Sequence, residues 1–295
     1  MNLQRLLFQL PKVLRVHQWV KNVLLFVPLF TAHRLADKAV WQKGGLAFLA
    51  FSLVASSVYI INDLLDVKSD RLHPRKKNRP FASNAFPLAL GIGLVPLLIS
   101  LGVGLAVWVG QDFVFVLGIY FALTFLYSLW VKRLLLWDVI CLASLYTIRI
   151  FAGSAASGVP VSKWLLAFSL FIFLSLALAK RVSELKVHQQ KKGEVIPGRG
   201  YQSIDEEALS NLGAASGYLS VLVFALYVNS SEVTQFYRYA ETLWFTCPLI
   251  LYWISRIWII SNRGHLHDDP IVFALKDKVS YLVLLLTVTV LYLAT

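Results

Sequence analysis

Three aspartates stand at the end of an apolar run long enough to cross a membrane, in the segment Asn62-Asp63-Leu64-Leu65-Asp66-Val67-Lys68-Ser69-Asp70-Arg71. On a helix that turns by about 100° per residue, Asp63, Asp66 and Asp70 lie within about 60° of one another, so the spacing predicts that they face one point. Carboxylate and amide oxygens suit Mg²⁺, which also binds phosphate oxygens and keeps water. We therefore predict a Mg²⁺ site for a phosphorylated ligand, with Asn62 as a further ligand of the metal. The alternative is a helix end whose solvated acids pair with nearby Lys and Arg, but acids there oppose the helix dipole.

A dense group of cations follows these acids and precedes the turn Pro80-Phe81-Ala82-Ser83; its members are Arg71, Arg75, Lys76, Lys77 and Arg79. Arg forks and Lys point charges complement phosphate groups, so Arg71, Lys77 and Arg79 are candidate substrate-binding residues. The alternative is a basic membrane surface that attracts anionic lipid headgroups, which accounts for some of these charges. Arg79 stands next to Pro80 and an apolar turn, and we expect it to be held in place.

A second charged group ends a later apolar run, in the segment Lys180-Arg181-Val182-Ser183-Glu184. Residues 180 and 184 share a helical face. As a site, Lys180 and Arg181 would bind phosphate, and Glu184 would bind a second Mg²⁺ or a hydroxyl. The spacing is equally typical of an ion pair at the end of a membrane helix. The loop from Gly193 to Tyr201 could close over a ligand or serve as a flexible connector.

Arg149 lies deep in an apolar run, where a charge is costly and should face the interior of a helix bundle. It could contact a phosphate or diphosphate, or be a buried arginine satisfied by carbonyls and hydroxyls. Asp138 shares its helical face but lies too far along the helix for a direct pair. Near the N-terminus, Lys21 and Asn22 follow the interface anchor Trp19, so they either contact a ligand or only anchor the chain.

Membrane helices must position all of these residues. The 295-residue chain is 58% hydrophobic and 15% charged, with a mean hydropathy of +0.66, whereas about 25% of a soluble domain is charged. The apolar residues occur in long blocks rather than in the alternation of a β-barrel. We predict an all-α integral membrane protein with a single domain, 1–295. About nine spans are expected, at residues 20–36, 44–65, 86–108, 112–131, 134–154, 162–181, 207–228, 240–260 and 279–294.

The distribution of the 28 Lys and Arg residues predicts the orientation. Most of them fall on one side of the membrane if the N-terminus is cytoplasmic, so the positive-inside rule places the acidic segment on the cytoplasmic face and the C-terminus outside. Topology therefore explains the net charge of +12 better than nucleic-acid binding does. Cys141 and Cys247 lie in apolar runs and are expected to be core residues. The leucines of the first ten residues predict an amphipathic start rather than a cleavable signal.

These motifs resemble those of the UbiA prenyltransferase superfamily. Its first aspartate-rich motif is similar to Asn62-Asp63-x-x-Asp66-x-x-x-Asp70 with Arg79-Pro80-x-Ala82-Ser83. The second aspartate-rich motif expected after the sixth span is absent, and Lys180-Arg181-x-x-Glu184-Leu185 stands in its place. This variation resembles the decaprenyl-phosphate phosphoribosyltransferase branch of the superfamily. Further matches to that branch are Gln18-Trp19-x-Lys21-Asn22, His73-Pro74-x-Lys76, Tyr146-x-x-Arg149, Arg199-Gly200-Tyr201 and Asp269-Pro270.

The resemblance implies a UbiA-like bundle of about nine helices with a cytoplasm-facing active site, in a bacterial inner membrane. It implies Mg²⁺-dependent transfer of 5-phosphoribose from phosphoribosyl diphosphate to a polyprenyl phosphate. Asp63, Asp66, Asp70 and Glu184 would be catalytic, and Asn62 would join the three aspartates at the metal. The residues implied to bind the two substrates are Lys21, Asn22, Arg71, Lys77, Arg79, Tyr146, Arg149, Lys180, Arg181 and Tyr201.

Two other functions remain open. An ordinary prenyltransferase would move a polyprenyl group from its diphosphate to an aromatic acceptor, but the missing second aspartate motif argues against it. A lipid or small-molecule transporter would also carry buried charges along its pathway. It would form no covalent product.

Overall fold

The structure, a computed structural model, describes residues 3–31, 37–72, 76–189, 200–266 and 269–295. Regular structure in these ranges is helical. The α-helices, numbered in chain order, are α1 Leu3–Val13, α2 Val27–Thr31, α3 Lys38–Leu65, α4 Val67–Leu72, α5 Leu88–Val109, α6 Gln111–Leu129, α7 Trp137–Ser157, α8 Lys163–Gln189, α9 Glu206–Val228, α10 Thr246–Asn262, α11 Pro270–Ala274 and α12 Lys278–Ala294.

Among the described residues, seven helical segments are long and apolar enough to cross a membrane. They are α3, α5, α6, α7, the Lys163–Val187 part of α8, and the segments Ser203–Val228 and Ala240–Asn262, which contain α9 and α10. Helix α12 is apolar but shorter. The all-α membrane class is confirmed. The expected count of nine is not.

The predicted boundaries differ from the structure in two informative places. The described part of the first expected span, 20–31, is instead the end of a 3₁₀ helix, Val16–Phe26, followed by the five-residue α2. The sixth expected span ends at residue 181, whereas α8 continues to Gln189. Lys180 and Arg181 are therefore interior residues of a helix rather than the start of a loop.

The chain divides into two compact units, and the first contains the residues up to Ser128 and Ile148–Pro160. Helix α3 is its most enclosed element: 61% of the most apolar window of α3 is buried, against 22% for α5. Helix α5 packs closely on α3 because Gly102 has no side chain. A Cβ there would lie 2.7 Å from Cγ2 of Val54. Leu90, Ile92 and Trp108 of α5 are exposed, as expected for a helix that faces lipid acyl chains.

The second unit contains Leu129–Thr147 and Val161–Thr295. Its helices α8, α9 and α10 are joined by small polar side chains in an apolar interior. Trp258 Nε1 donates to Ser175 Oγ at 3.0 Å, and Ser175 Oγ donates to the carbonyl oxygen of Gly213 at 2.7 Å. A Cβ at Gly213 would lie 2.2 Å from the Trp258 ring, so this approach requires glycine. Close packing and interhelical hydrogen bonds are what hold helices together where lipid removes the hydrophobic driving force.

Candidate active site

The carboxylates of Asp63 and Asp70 converge on one side chain in the first unit. Nη1 of Arg79 lies 3.0 Å from Oδ1 of Asp63 and 2.7 Å from Oδ2 of Asp70. Both carboxylates are buried, whereas 26% of the Arg79 side chain is exposed. Two buried carboxylates with nothing between them would repel, so a cation at this point stabilises the pair in its charged form.

A break in the helix makes the convergence possible. Helix α3 ends at Leu65, Asp66 is its C-cap, and α4 begins at Val67. The expectation that all three aspartates lie on one continuous helix is thus wrong in detail. The Asp66 amide still donates to the Asn62 carbonyl at 2.9 Å, and the Asp66 carbonyl accepts from the amide of Asp70 at 2.8 Å. These backbone hydrogen bonds continue the helical pattern through the break, so Asp70 remains on the same side of the chain as Asp63.

Arg15 is a second partner of Asp63, from 48 residues earlier in the chain. Its Nη2 lies 2.5 Å from Oδ1 of Asp63, and its Nε lies 3.2 Å from Oδ2. The Arg15 backbone is left-handed, with φ 50° and ψ 47°, a conformation that costs a non-glycine residue about 1–3 kcal/mol. The strain lies where α1 ends and the 3₁₀ helix begins, and it is offset by the fork that Arg15 makes with Asp63.

A buried aromatic turn holds Arg79 in place. Phe81 and Phe86 are buried in a hydrophobic core cluster and contact each other edge to face, with ring centroids 5.8 Å apart. The amide of Phe86 donates to the carbonyl of Pro80 at 3.0 Å, which closes the turn behind Arg79. The turn is braced from outside by Arg71, which donates to the Ala82 carbonyl at 3.2 Å and to Asn84 Oδ1 at 2.7 Å.

The other residues predicted for this end of the unit differ in burial. Asn62 and Asp66 are half-buried, while Arg71 and Lys77 are exposed. Lys77 belongs to a single 3₁₀ turn, Lys76–Asn78. His73, Pro74 and Arg75, which the sequence also associates with this group, lie outside the described residues.

Arg149 is buried, with 4% of its surface exposed. Its Nε donates to Asn22 Oδ1 at 3.0 Å and its Nη2 donates to the Tyr120 hydroxyl at 3.3 Å. The guanidinium also lies over the rings of Phe51 and Tyr120, at 5.3 and 5.0 Å from their centroids. Arg149 therefore faces the interior, as its position in an apolar span predicts, and cation–π contacts with the two rings stabilise its charge.

Asn22 connects Arg149 to α3, because its Nδ2 donates to Ser52 Oγ at 2.9 Å. The close approach depends on Gly153, one turn after Arg149. A Cβ at Gly153 would lie 1.9 Å from the Leu25 carbonyl oxygen, so only glycine allows α7 to lie against the 3₁₀ helix here. The neighbouring predicted residue, Lys21, is also buried, with 8% exposed.

In the second unit, Arg181 and Asp138 form a fully buried ion pair. Nη2 of Arg181 lies 2.7 Å from Oδ2 of Asp138, and both side chains are 0% exposed. Nη1 of Arg181 also donates to Glu184. The Tyr201 hydroxyl donates to Asp138 and accepts from the Leu136 amide at 3.1 Å. Burial and then the hydrogen bond to Asp138 raise the pKa of Tyr201, so its hydroxyl stays protonated.

Lys180, next to Arg181 in the chain, has different surroundings. Its side chain is 27% exposed, and its Nζ lies 3.5 Å from Oδ2 of Asp269. The hydroxyl of Tyr146 donates to the same carboxylate, 2.7 Å from Oδ1 and 2.6 Å from Oδ2. Two adjacent cations therefore differ in accessibility: Arg181 is enclosed and Lys180 is reachable from solvent. Residues 193–199, most of the loop that was expected to close over a ligand or to act as a connector, lie outside the described residues.

The donor set of the first unit fits a hard divalent cation. Asp63 and Asp70 direct oxygens to one point where the structure places the positive Arg79 nitrogen, and Mg²⁺ takes such oxygens together with phosphate and water. Within the described ranges, no three His, Cys, Asp or Glu side chains are grouped to hold a metal by themselves. A metal here would share its coordination with ligand phosphates, which is the usual arrangement for Mg²⁺.

Three contributors were not predicted as site residues. They are Arg15, Asp138 and Asp269; the sequence pattern assigns no ligand or partner to any of them. Each meets its partner across a long stretch of chain: 48 residues for Arg15 with Asp63 and 123 for Asp269 with Tyr146. Two of the three carried a signal in the sequence: Asp138 is costly in an apolar run, and Asp269 belongs to the Asp269-Pro270 match to the resembled branch.

The described residues form a helical membrane protein with an aspartate–arginine cluster at the end of an apolar helix. The UbiA prenyltransferase family model matches residues 24–194, and the chain belongs to this family of membrane transferases. A UbiA homolog from Archaeoglobus fulgidus bound to GPP and Mg²⁺ shares the fold, with a TM-score of 0.71 at 18% identity over 96% of this chain and 99% of that one.

Among the sequence relatives are proteins of rhizobia, one of them a nodulation protein, and phosphoribosyltransferases of mycobacteria. An uncharacterized protein of Sinorhizobium fredii is 40% identical over 92% of this chain and 52% of its own length, so the chain spans about half of that relative. The nodulation protein NoeC of Azorhizobium caulinodans is 35% identical over 92% of this chain and 88% of its own. The decaprenyl-phosphate phosphoribosyltransferase of Mycobacterium tuberculosis is 30% identical over 93% of this chain and 90% of its own.

Proposed function

We propose that this protein transfers 5-phosphoribose from phosphoribosyl diphosphate to a polyprenyl phosphate and releases diphosphate. The observation that carries the proposal is the pair of adjacent cations on α8, one enclosed and one accessible, at the position where the resemblance leads us to expect a second aspartate-rich motif. A donor with phosphate groups at both ends calls for more cations than a prenyl diphosphate does. The 30% identity to a decaprenyl-phosphate phosphoribosyltransferase supports the same conclusion.

In the first unit, Asp63 and Asp70 would hold Mg²⁺, with Asn62 and Asp66 beside them. Bound Mg²⁺ would neutralise the diphosphate and so make it a better leaving group. Arg79 would turn from the two carboxylates to the diphosphate, since its side chain is the exposed member of the group. Lys77 lies on the 3₁₀ turn just before Arg79 and is exposed to solvent.

In the second unit, Lys180 is the cation best placed to take a phosphate, and Glu184, which is half-buried, would accept from a ribose hydroxyl. Arg181 and Tyr201 would support the site indirectly, because Arg181 is paired with Asp138 and the Tyr201 hydroxyl is hydrogen-bonded to the same carboxylate. Tyr146 would act with Lys180.

In the first unit, Arg149, with Asn22 and Lys21, is the proposed contact for the lipid phosphate.

The reaction needs little acid–base chemistry. An oxygen of the lipid phosphate forms a bond to the anomeric carbon of ribose while the bond from that carbon to the diphosphate breaks. The electron pair leaves with the diphosphate, and no proton has to move because the attacking phosphate is already an anion. The residues contribute by orienting the two substrates and by stabilising charge on the leaving group. We further propose that the reaction takes place at the cytoplasmic face of a bacterial inner membrane, with the N-terminus inside.

The purified protein in lipid nanodiscs tests the proposal directly. It is incubated with phosphoribosyl diphosphate labelled in the ribose, decaprenyl phosphate and Mg²⁺, and the lipid fraction is analysed by mass spectrometry. We expect a lipid that has gained one phosphoribosyl group, and no product when EDTA is present. Consumption of a prenyl diphosphate with an aromatic acceptor, without any phosphoribosyl lipid, would establish prenyl transfer instead. No covalent product from either pair would favour a transporter.

A further inference from the structure

The cluster of Tyr146, Lys180 and Asp269 brings together three elements of the second unit. Tyr146 comes from α7, Lys180 from α8, and Asp269 from the residue before α11. The Asp269 carboxylate is the common partner: it accepts the Tyr146 hydroxyl on both oxygens, and the Lys180 ammonium lies 3.5 Å from Oδ2. Its side chain is 7% exposed, so the charge is almost enclosed and depends on these partners.

Asp269 is fixed by the backbone as well. It is the N-cap of α11, its Oδ1 accepts from the Ile271 amide at 3.2 Å, and Pro270 starts the helix. Proline at the first helical position is preset for the helix, and an aspartate before it is a favoured cap. The carboxylate is therefore a rigid point, whereas the lysine that it faces has a flexible stem of four carbons.

The geometry of Lys180 differs from that of an ordinary structural ion pair. Its contact of 3.5 Å lies beyond the usual range of a charged hydrogen bond. Elsewhere in the unit, the cations of Arg181 and Arg256 approach their carboxylates to 2.7 and 2.6 Å. Asp269 is thus a loose partner of the Lys180 ammonium, and 27% of the Lys180 side chain is exposed, which leaves room for a second anion. A phosphoryl group is the anion that a lysine point charge commonly binds.

We propose that Asp269 is a positioning residue that, together with Tyr146, aims the ammonium of Lys180 at a phosphoryl group of one of the two substrates. The inference rests on the proposed function, because it takes the substrates to be phosphorylated. Asp269 itself does not touch the phosphate. Its carboxylate acts through Lys180, and Tyr146 keeps that carboxylate in place.

A double-mutant cycle tests this role. Asp269→Asn removes the charge but keeps a good helix cap of nearly the same volume, so α11 can still form. Lys180→Met removes the ammonium and keeps the apolar stem. We expect each single variant to raise KM for the substrate whose phosphate Lys180 binds by about tenfold, with a smaller change in kcat, because a binding contact is lost. The double variant should match Lys180→Met, since Asp269 has nothing left to position.

The two arms of the cycle identify the source of the phosphate. KM is measured for phosphoribosyl diphosphate at saturating lipid and for the polyprenyl phosphate at saturating donor, and the substrate whose KM rises is the one that Lys180 contacts. Asp277→Asn is the matched control, because Asp277 is also an N-cap aspartate with a cationic partner, Arg256. Independent effects of Asp269→Asn and Lys180→Met, or an Asp277→Asn effect of the same size, would overturn the inference.

Failure of the proposed function gives a different result. If wild-type protein makes no phosphoribosyl lipid, binding of inorganic phosphate is followed by calorimetry in wild type, Asp269→Asn, Lys180→Met and Asp277→Asn. Weaker binding in Asp269→Asn and Lys180→Met but not in Asp277→Asn would support the positioning role without the proposed reaction. Equal binding, or none, in all of them would refute the positioning role as well.

Discussion

Asp63 and Asp70 lie on different helices, yet their carboxylates meet at one atom, Nη1 of Arg79, at 3.0 and 2.7 Å. Both acids are buried and the arginine is the exposed partner. The arrangement presents two converging carboxylate oxygens with a partly exposed guanidinium between them. We propose that a metal takes the place of this guanidinium when substrate binds, and that the Arg79 side chain then contacts the phosphates of the ligand.

Asp70→Asn should lower turnover by at least about 100-fold, because one of the two converging carboxylates becomes a neutral amide and loses its hold on a metal. The rate of lipid product formation measures the loss, and a fluorescence-detected melting curve checks folding. Asp112→Asn is the control, since Asp112 is an exposed acid in the first turn of α6. Near-normal rates for Asp70→Asn would refute the catalytic role.

Arg79→Met should separate metal binding from donor binding. Without the guanidinium, Asp63 and Asp70 repel, so we expect Mn²⁺, used as a spectroscopic substitute for Mg²⁺, to bind severalfold more tightly when added alone. The KM for the diphosphate substrate should rise by about tenfold because a phosphate contact is lost. Electron paramagnetic resonance reports free Mn²⁺. Weaker Mn²⁺ binding in the variant would show that Arg79 supports the site only as a structural residue.

Asp138→Asn should destabilise the protein by about 3–5 kcal/mol, because it leaves the guanidinium of Arg181 buried without that carboxylate. The melting temperature in detergent measures the effect. The double variant Asp138→Leu with Arg181→Met should recover part of the loss, since it removes both charges. If the double variant is less stable than Asp138→Asn, the pair is needed for more than charge balance.

Arg149→Met should cost about 1–3 kcal/mol, because it leaves the carbonyl oxygen of the buried Asn22 side chain without the Arg149 donor. Tyr120→Phe is the smaller change: it removes one hydrogen bond of 3.3 Å and keeps the ring under the guanidinium. Melting temperatures rank the two variants. If Arg149 also binds the lipid phosphate, Arg149→Met will raise KM for the lipid more than KM for the donor, and Tyr120→Phe will not.

Asp277 should make stability depend on pH at the acidic end. Burial raises the pKa of its carboxyl, but hydrogen bonds from Arg256 and Ser280 outweigh burial, so the pKa is lowered in the folded protein. A lowered pKa contributes stability that is present above the unfolded value, about 3.9, and is lost as the pH falls through the folded value. The melting temperature should therefore fall more steeply below about pH 4 in wild type than in Asp277→Asn. Parallel pH profiles would contradict this.

The sequence was sufficient to predict the class of fold, whereas the roles of the site residues stay predictions. Apolar runs of about 20 residues have few alternatives to a membrane helix, because the backbone must satisfy its own hydrogen bonds in lipid. Most span boundaries agree with the structure within a few residues. There are three exceptions. The expected first span is divided between Phe26 and Val27 into two short helices, α3 begins at Lys38 rather than at residue 44, and α8 remains helical to Gln189.

Tertiary structure determined which charged side chains pair with one another. The spacing of Asp63 and Asp70 indicated that they share a direction, but nothing local indicated that Arg15, 48 residues away, is the second cation on Asp63. Lys180 and Arg181 look alike in sequence, and only the packing encloses Arg181 with Asp138 and leaves Lys180 on Asp269. The physical reason is that periodicity is a property of one helix, whereas burial and charge pairing depend on residues that the folded chain brings together from distant positions.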